Sequence, residues 1–352
     1  MIHNIQISGL KSIRNMSLNC KNLNILVGTN SSGKSTVLQA ILLLAENIET
    51  PCGVNGSLVS LGEFEEARCW NSKEKKIQIK MQIDNESVSW SIYMEDDVLK
   101  MDITPGDPSI IPFREKLNYH KGKLSYLSCN RIGARDIYEK NLVSFQEIGV
   151  NGEYALDFLQ RRKNIPVSNE ICKYTELITL SNQVNGWLNY IVGANITVED
   201  IIGTDVVKAS YKIGNQRAAR PKNVGSGVSY LISILVLCLS SKQGDIMIIE
   251  NPEIHLHPLA QSRVCEFLYY IASRGRQIFV ETHSDHFFNA IRAGIATETM
   301  NPDKVQVNFI SLDEEFCTQN TVVEFGKRGK VLNPQKDLFD QFDNDLNRML
   351  GL

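Results

Sequence analysis

The chain has 352 residues, which at ~150 residues per domain reads as two domains or one large domain with an inserted lobe. Its 43% hydrophobic and 22% charged residues exclude disorder, and its 23 Gly and 10 Pro exclude collagen-like or linker-dominated chains. A formal net charge of −3 excludes a generally basic coat for nucleic acid and leaves local basic patches open.

In chain order, IQIS, MSLN and LNILV within 2–27 predict short strands broken by Gly9, Lys11 and Asn-rich turns. A helix is predicted over 36–45, directly after a Gly/Ser-rich turn, and residues 50–75 read as irregular. KKIQIKMQI and ESVSWSIYM alternate apolar and polar residues and meet at Asp84 and Asn85, the pattern of an antiparallel hairpin. Between about 130 and 220, EYALDFLQRRK and LSNQVNGWLNYIV have helical periodicity, and ITVED to KASYKIG returns to strands. From 224 onward helix (228–240), strand (245–250), helix (258–273), strand (277–281) and helix (285–293) alternate, the signature of a parallel sheet packed with helices. Two strands (305–311 and 320–325) and an acidic helix (335–350) follow. That helix, with Phe339, Phe342, Leu346 and Leu350 near helical spacing, is expected to pack on the head or, as the alternative, to dock a partner. The eight cysteines are scattered without CxxC spacing, which fits a reducing cytosol. No apolar run reaches membrane length and no leader is read at the start, so a cytoplasmic location is expected.

Gly28, Thr29, Asn30, Ser31, Ser32, Gly33, Lys34 and Ser35 match GxxxxGK[ST] at every defined position, followed by Thr36. The motif lies between a predicted buried strand and a predicted helix, as it requires. Two glycines let the backbone curl so that its N–H groups point at phosphates, and the helix start adds its positive dipole end. Lys34 is then expected to bridge the β- and γ-phosphates, and the Ser35 hydroxyl to coordinate Mg²⁺. The loop predicts nucleotide binding.

DIMIIENPE carries Glu250 to the carboxyl end of an apolar strand, the edge where open α/β sheets hold ligands. Ser226 and Gly227 open an apolar helix and form a second anion cradle. A further strand, QIFVE, leads into Thr282 and His283.

Phosphate loop, Ser-Gly signature, acidic strand with NPEIHLHP and THSDH stand in the order found in ABC-type ATPase heads. The sequence most resembles the prokaryotic group related to the SMC, RecF and OLD-type AAA family ATPases. ENPEIHLHP and ETHSDH resemble a subgroup with a short C-terminal extension, and NGSLVSLGEF and VNGW resemble its lobe sequences. The resemblance covers most of 1–300. It implies an α/β P-loop NTPase of ABC-type head fold, with a mixed N-terminal β lobe, a parallel-sheet core and an inserted β/helical lobe. The expected division is 1–128 (phosphate loop and hairpin), 129–222 (inserted lobe), 223–300 (signature, acidic strand and switch His) and 301–352 (extension). It further implies a homodimer or higher oligomer with ATP and Mg²⁺ between copies, gripped by the phosphate loop of one and Ser226 and Gly227 of the other. Similarity assigns Glu250 to the magnesium acid, His283 to the γ-phosphate switch and 255–258 to the loop crossing the dimer interface.

One departure is visible. The usual head has Asp-Glu at the strand tip, where this chain has Glu250 and Asn251. Asn hydrogen-bonds water but cannot take its proton. Hydrolysis is therefore expected to be slow, or to depend on Glu253. With no effector motif in the sequence, a separate effector protein, a nuclease or toxin, is the expected output, in anti-phage defence or genome maintenance. A RecF-like DNA-repair ATPase and an ATP-bound scaffold without turnover are the alternatives. His255, His257, His283 and His286 have spacings that could hold a transition metal, which makes a metallohydrolase the rival enzyme class. Arg217, Arg220 and Lys222, and Arg161, Arg162 and Lys163, are basic clusters open to DNA or to mere solvation. Arg131 is expected either at the nucleotide or paired with a core carboxylate.

Overall fold

The computed structural model describes residues 1–119, 121, 123–143 and 148–351. In chain order β1 (Ile2–Leu10), β2 (Ile13–Asn19) and β3 (Leu23–Gly28) lead into α1 (Lys34–Glu49). A short α2 (Phe64–Ala67) precedes β4 (Lys76–Ile83), β5 (Glu86–Glu95) and β6 (Val98–Thr104). Then come α3 (Ile111–Lys116), β7 (Leu124–Leu127), β8 (Tyr138–Glu139), α4 (Ala155–Arg162), α5 (Leu180–Val192), β9 (Ala194–Asp200) and β10 (Val206–Ile213). The remainder alternates: α6 (Ser226–Ser240), β11 (Ile246–Glu250), α7 (Pro258–Ala272), β12 (Gln277–Glu281) and α8 (Asp285–Ala296). It ends with β13 (Val305–Leu312), β14 (Thr318–Val322) and α9 (Gln341–Leu350). The fold is mixed α/β and contains the parallel pairs β3–β13 and β7–β11.

Two compact units divide the chain, 1–114 with 281–352, and 115–280. In the first, an antiparallel sheet runs in the order β2-β1-β4-β5-β6. The period-2 pattern of β4 buries Ile77, Ile79, Met81 and Ile83, and the hairpin to β5 turns at Asp84 with Ile83 opposite Glu86. Strand β3 pairs parallel with β13, which pairs antiparallel with β14. Helix α1 packs on β1, β5 and β3, so it is apolar on nearly every face.

In the second unit β11 pairs parallel with β7 and has β12 on its other side. Helix α6 is buried from Gly227 to Leu239 save for Tyr230, and packs against α4, α5 and α7. This accounts for the apolar run as a core helix. A small antiparallel sheet, β8-β10-β9, completes the unit. No helix among the described residues is long and apolar enough to cross a membrane.

Several features differ from the sequence reading, among them the short α2 within the stretch read as irregular. β6 extends the five-stranded sheet where no strand was predicted. β14 begins at Thr318, two residues before the predicted strand. α9 starts at Gln341 rather than 335, because Asp337 and Phe339 take left-handed backbone conformations. Its Phe342, Leu346 and Leu350 are exposed, which corrects the expectation that the helix packs through them. Phe339, ahead of the helix, does pack, with its ring 5.3 Å from that of Phe288.

Candidate nucleotide site

The phosphate loop is built by close backbone approach. Gly28 has φ +144°, and a Cβ there would stand 1.9 Å from the Ile310 carbonyl oxygen of β13. Gly33 has φ +104°, and its Cβ would meet Thr318 Oγ1 at 2.5 Å. Only glycine fits either place. The loop is pinned inside by Ser32 Oγ donating to Thr29 O (2.8 Å) and outside by Thr318 Oγ1 donating to Ser32 O (2.9 Å). Asn30 and Ser31 are exposed at its crest, and Thr36 is buried in the first turn of α1. Gly33 offers no side-chain cap, so the first-turn N–H groups of α1 point into the loop. Lys34 is buried and donates to the carbonyls of Gly28 (3.2 Å) and Thr29 (2.7 Å). Burial pulls its ammonium below the usual lysine range, and the charge of Glu281 opposes that pull. These groups make a cradle for a polyanion.

Beside the loop, Thr282 donates its N–H to Leu26 O of β3 (3.1 Å), which sets Glu281 and His283 at the carboxyl end of that strand. Ser35 Oγ donates to Glu281 Oε1 at 2.8 Å. His283 Nε2 lies 4.0 Å from the same oxygen. Burial, then the charge of Lys34, holds the His283 imidazole below its ordinary pKa. Glu281 is the site residue that sequence reasoning missed. It ends an apolar strand and opens ETHSDH, and the sequence reading gave it no role there, its only signal being its place two residues before His283. A hydroxyl beside a carboxylate is an all-oxygen donor set, which suits a hard divalent cation such as Mg²⁺.

The second unit gathers the acidic strand tip. Glu250 is buried, and its oxygens accept from Tyr126 Oη (2.9 Å) and from the Cys129 N–H (2.9 Å). Arg131 settles the question the sequence left open, since its hydrogen bonds go to main-chain carbonyls. It donates to Ser128 O (2.9 Å), Glu250 O (2.5 Å) and Asn251 O (2.5 Å). Burial pulls this guanidinium down to about 10 against the pull of Glu253 and Glu250. Asn251 has φ +42°, and its Oδ1 is buried with no hydrogen-bond partner among the described residues. Glu253 lies in the turn that follows, its carbonyl accepting from Leu256 N (3.0 Å) and its charge acting on Arg131.

Ser226 is exposed at the start of α6, whose N-cap Gly225 supplies no side-chain bond. A Cβ on Gly227 would stand 2.4 Å from the His255 carbonyl oxygen, so the signature helix presses on the 255–258 loop. The His255 ring lies against Tyr230, and His257 Nδ1 accepts from Leu259 N at the start of α7. Among the described residues no three His, Cys, Asp or Glu side chains gather as a metal site. Members of both basic clusters are engaged within the chain. Lys222 and Arg220 face Asp136 at 2.8 and 4.0 Å, Arg161 binds the buried Asp157 at 2.9 Å, and Arg162 lies over Phe158.

Comparison with known proteins bears on the family and the fold. Residues 1–173 match a family model described as "AAA ATPase domain", and residues 131–289 match one described as "AAA domain, putative AbiEii toxin, Type IV TA system". No curated protein matches by sequence. The fold is similar to an SMC head bound to the C-terminal winged-helix domain of ScpA, with 12% identity and a TM-score of 0.55 over 92% of this chain and 97% of that one. It is similar too to an SMC head with an extended coiled coil, bound to the C-terminal domain of ScpA derived from Pyrococcus furiosus. That match has 11% identity and a TM-score of 0.55 over 99% of each chain. Between them, the two AAA family models span residues 1–289, on a fold similar to SMC heads along nearly the whole length of the chain.

Proposed function

We propose that the chain is a nucleotide-switched ATPase of slow turnover, which closes as a dimer on ATP and Mg²⁺ and thereby controls a separate effector protein. The observation that carries this reading is the loop over 28–35, where two left-handed glycines, a buried Lys34 and the uncapped start of α1 converge. Gly28 and Gly33 shape the cradle, Asn30, Ser31 and Ser32 line it, and Lys34 neutralises the β- and γ-phosphates. Magnesium, when bound with ATP, supplies the electrophilic pull on the phosphate oxygens. Ser35 and Glu250 are its residues in this reading, and His283 senses the γ-phosphate. Ser226 and Gly227 of the partner complete the grip, which the exposed, uncapped start of α6 favours. Contacts from the second copy to the γ-phosphate form only when two copies close, so the nucleotide state biases the assembly.

Slow turnover follows from Asn251, whose amide orients water without taking its proton. Glu253, two residues on, is the substitute base. The wording of one matched family, a putative toxin of a type IV toxin–antitoxin system, favours an output of toxin type. A head of this fold holding a protein domain favours a protein partner. The experiment is the solution mass of the Glu250→Gln protein, which is expected to double when ATP is added. An unchanged mass would overturn the switched dimer. ATP turnover is expected to fall at least tenfold in Glu253→Gln, and an unchanged rate would remove Glu253 from the chemistry.

A further inference from the structure

The carboxylate nearest the phosphate-loop serine is one that the motif pattern does not name. Glu281 is 6% exposed at the end of β12, whose preceding residues are all buried. Its Oε1 accepts the Ser35 hydroxyl proton at 2.8 Å. Thr282 anchors the backbone next to it on Leu26, and the Lys34 and His283 side chains are its polar neighbours. A serine hydroxyl has one proton and two lone pairs, and left alone it rotates. Once its proton is committed to a fixed carboxylate, its lone pairs face away, toward the loop. Burying a carboxylate is costly unless it is compensated, and here Ser35 and the Lys34 charge compensate it.

We propose that Glu281 is a positioning residue for the divalent cation that accompanies the nucleotide, acting through Ser35. It accepts the hydroxyl's hydrogen bond and so leaves the Ser35 oxygen oriented as a ligand for a hard cation such as Mg²⁺ or Mn²⁺. The role is separate from that of Glu250, whose two oxygens already accept from Tyr126 and Cys129. The proposal rests on nucleotide binding by the phosphate loop.

The test is calorimetric titration of ATP into the full chain, first in EDTA and then at stepped MgCl₂ concentrations. In E281Q, the Mg²⁺ concentration giving half of the gain in ATP affinity is expected to rise about tenfold. ATP affinity in EDTA should stay within about twofold of the unsubstituted chain, which also reports that the loop is folded. Because Glu281 acts through the hydroxyl, S35A and the S35A/E281Q double variant should need the same Mg²⁺. Should E281Q fail to fold, E281D, which falls a methylene short of Ser35, should show the same rise. An unchanged Mg²⁺ requirement overturns the proposal. So does an equal loss in EDTA, which would mean that Glu281 only holds the loop, and so do losses that multiply in the double variant. Failure of the unsubstituted chain to bind ATP under either condition overturns the nucleotide reading itself, and this inference with it.

Discussion

Asn251 sits at a strand tip with φ +42°, a conformation that Asn adopts at lower cost than most side chains and Glu does not favour. The local backbone thus favours an amide at this position, and it burdens Asn251→Glu with strain before any chemistry. Arg131 holds that tip, since the carbonyls of both Glu250 and Asn251 end on its guanidinium. Replacing it by Met keeps the length of the side chain and leaves buried carbonyls without a charged donor. Arg131→Met is expected to lower stability by about 2–3 kcal/mol, read as a lower urea midpoint. Arg131→Lys should lose about half as much, because a point ammonium cannot fork across two carbonyls. A midpoint for Arg131→Met equal to that of the unsubstituted chain would show that water satisfies these carbonyls equally well.

Elements differ in how far their sequences reveal them. β4 and β5 were legible because both alternate and meet at a turn where Asp84 takes a left-handed conformation. The phosphate loop was legible to the residue, since its spacing is dictated by the polyanion it wraps. β6 was not legible, because Val98 to Asp102 is exposed throughout and carries no buried alternation to read. It is an edge strand defined by pairing with β5, and pairing leaves no periodicity in composition. Glu281 escaped for a related reason, because its meaning comes from Ser35, 246 residues away in sequence. The terminal segment shows the opposite error, in that helical spacing was read as packing. Only Phe339 touches the aromatic neighbour Phe288, while Phe342, Leu346, Met349 and Leu350 of α9 are exposed. Removing residues 341–352 is therefore expected to shift stability by less than about 0.5 kcal/mol. Phe339→Ala should cost about 1–2 kcal/mol, since it removes a partly buried ring pair. Urea midpoints of the two variants decide the matter, and a larger loss from the truncation would mean that α9 is held by contacts of its own.

At the scale of the whole chain, binding and stability are one quantity. A ligand that binds only the folded form adds RT ln(1 + [L]/Kd), about 2.7 kcal/mol at a hundredfold excess over Kd. For a chain of 352 residues this corresponds to roughly 3–6 °C in melting temperature. ATP with Mg²⁺ is expected to raise the transition by that amount, and chelation of the cation should shrink the rise. Lys34 supplies the charge of the cradle from a buried position, so Lys34→Ala should abolish the shift. The comparison must be made on the shift and not on the absolute melting temperature, because Lys34 also satisfies the carbonyls of Gly28 and Thr29. Its loss lowers the baseline whatever the nucleotide does. If Lys34→Ala kept the full ATP-dependent rise, the triphosphate would be binding elsewhere, and the curled glycine loop would be only a helix cap.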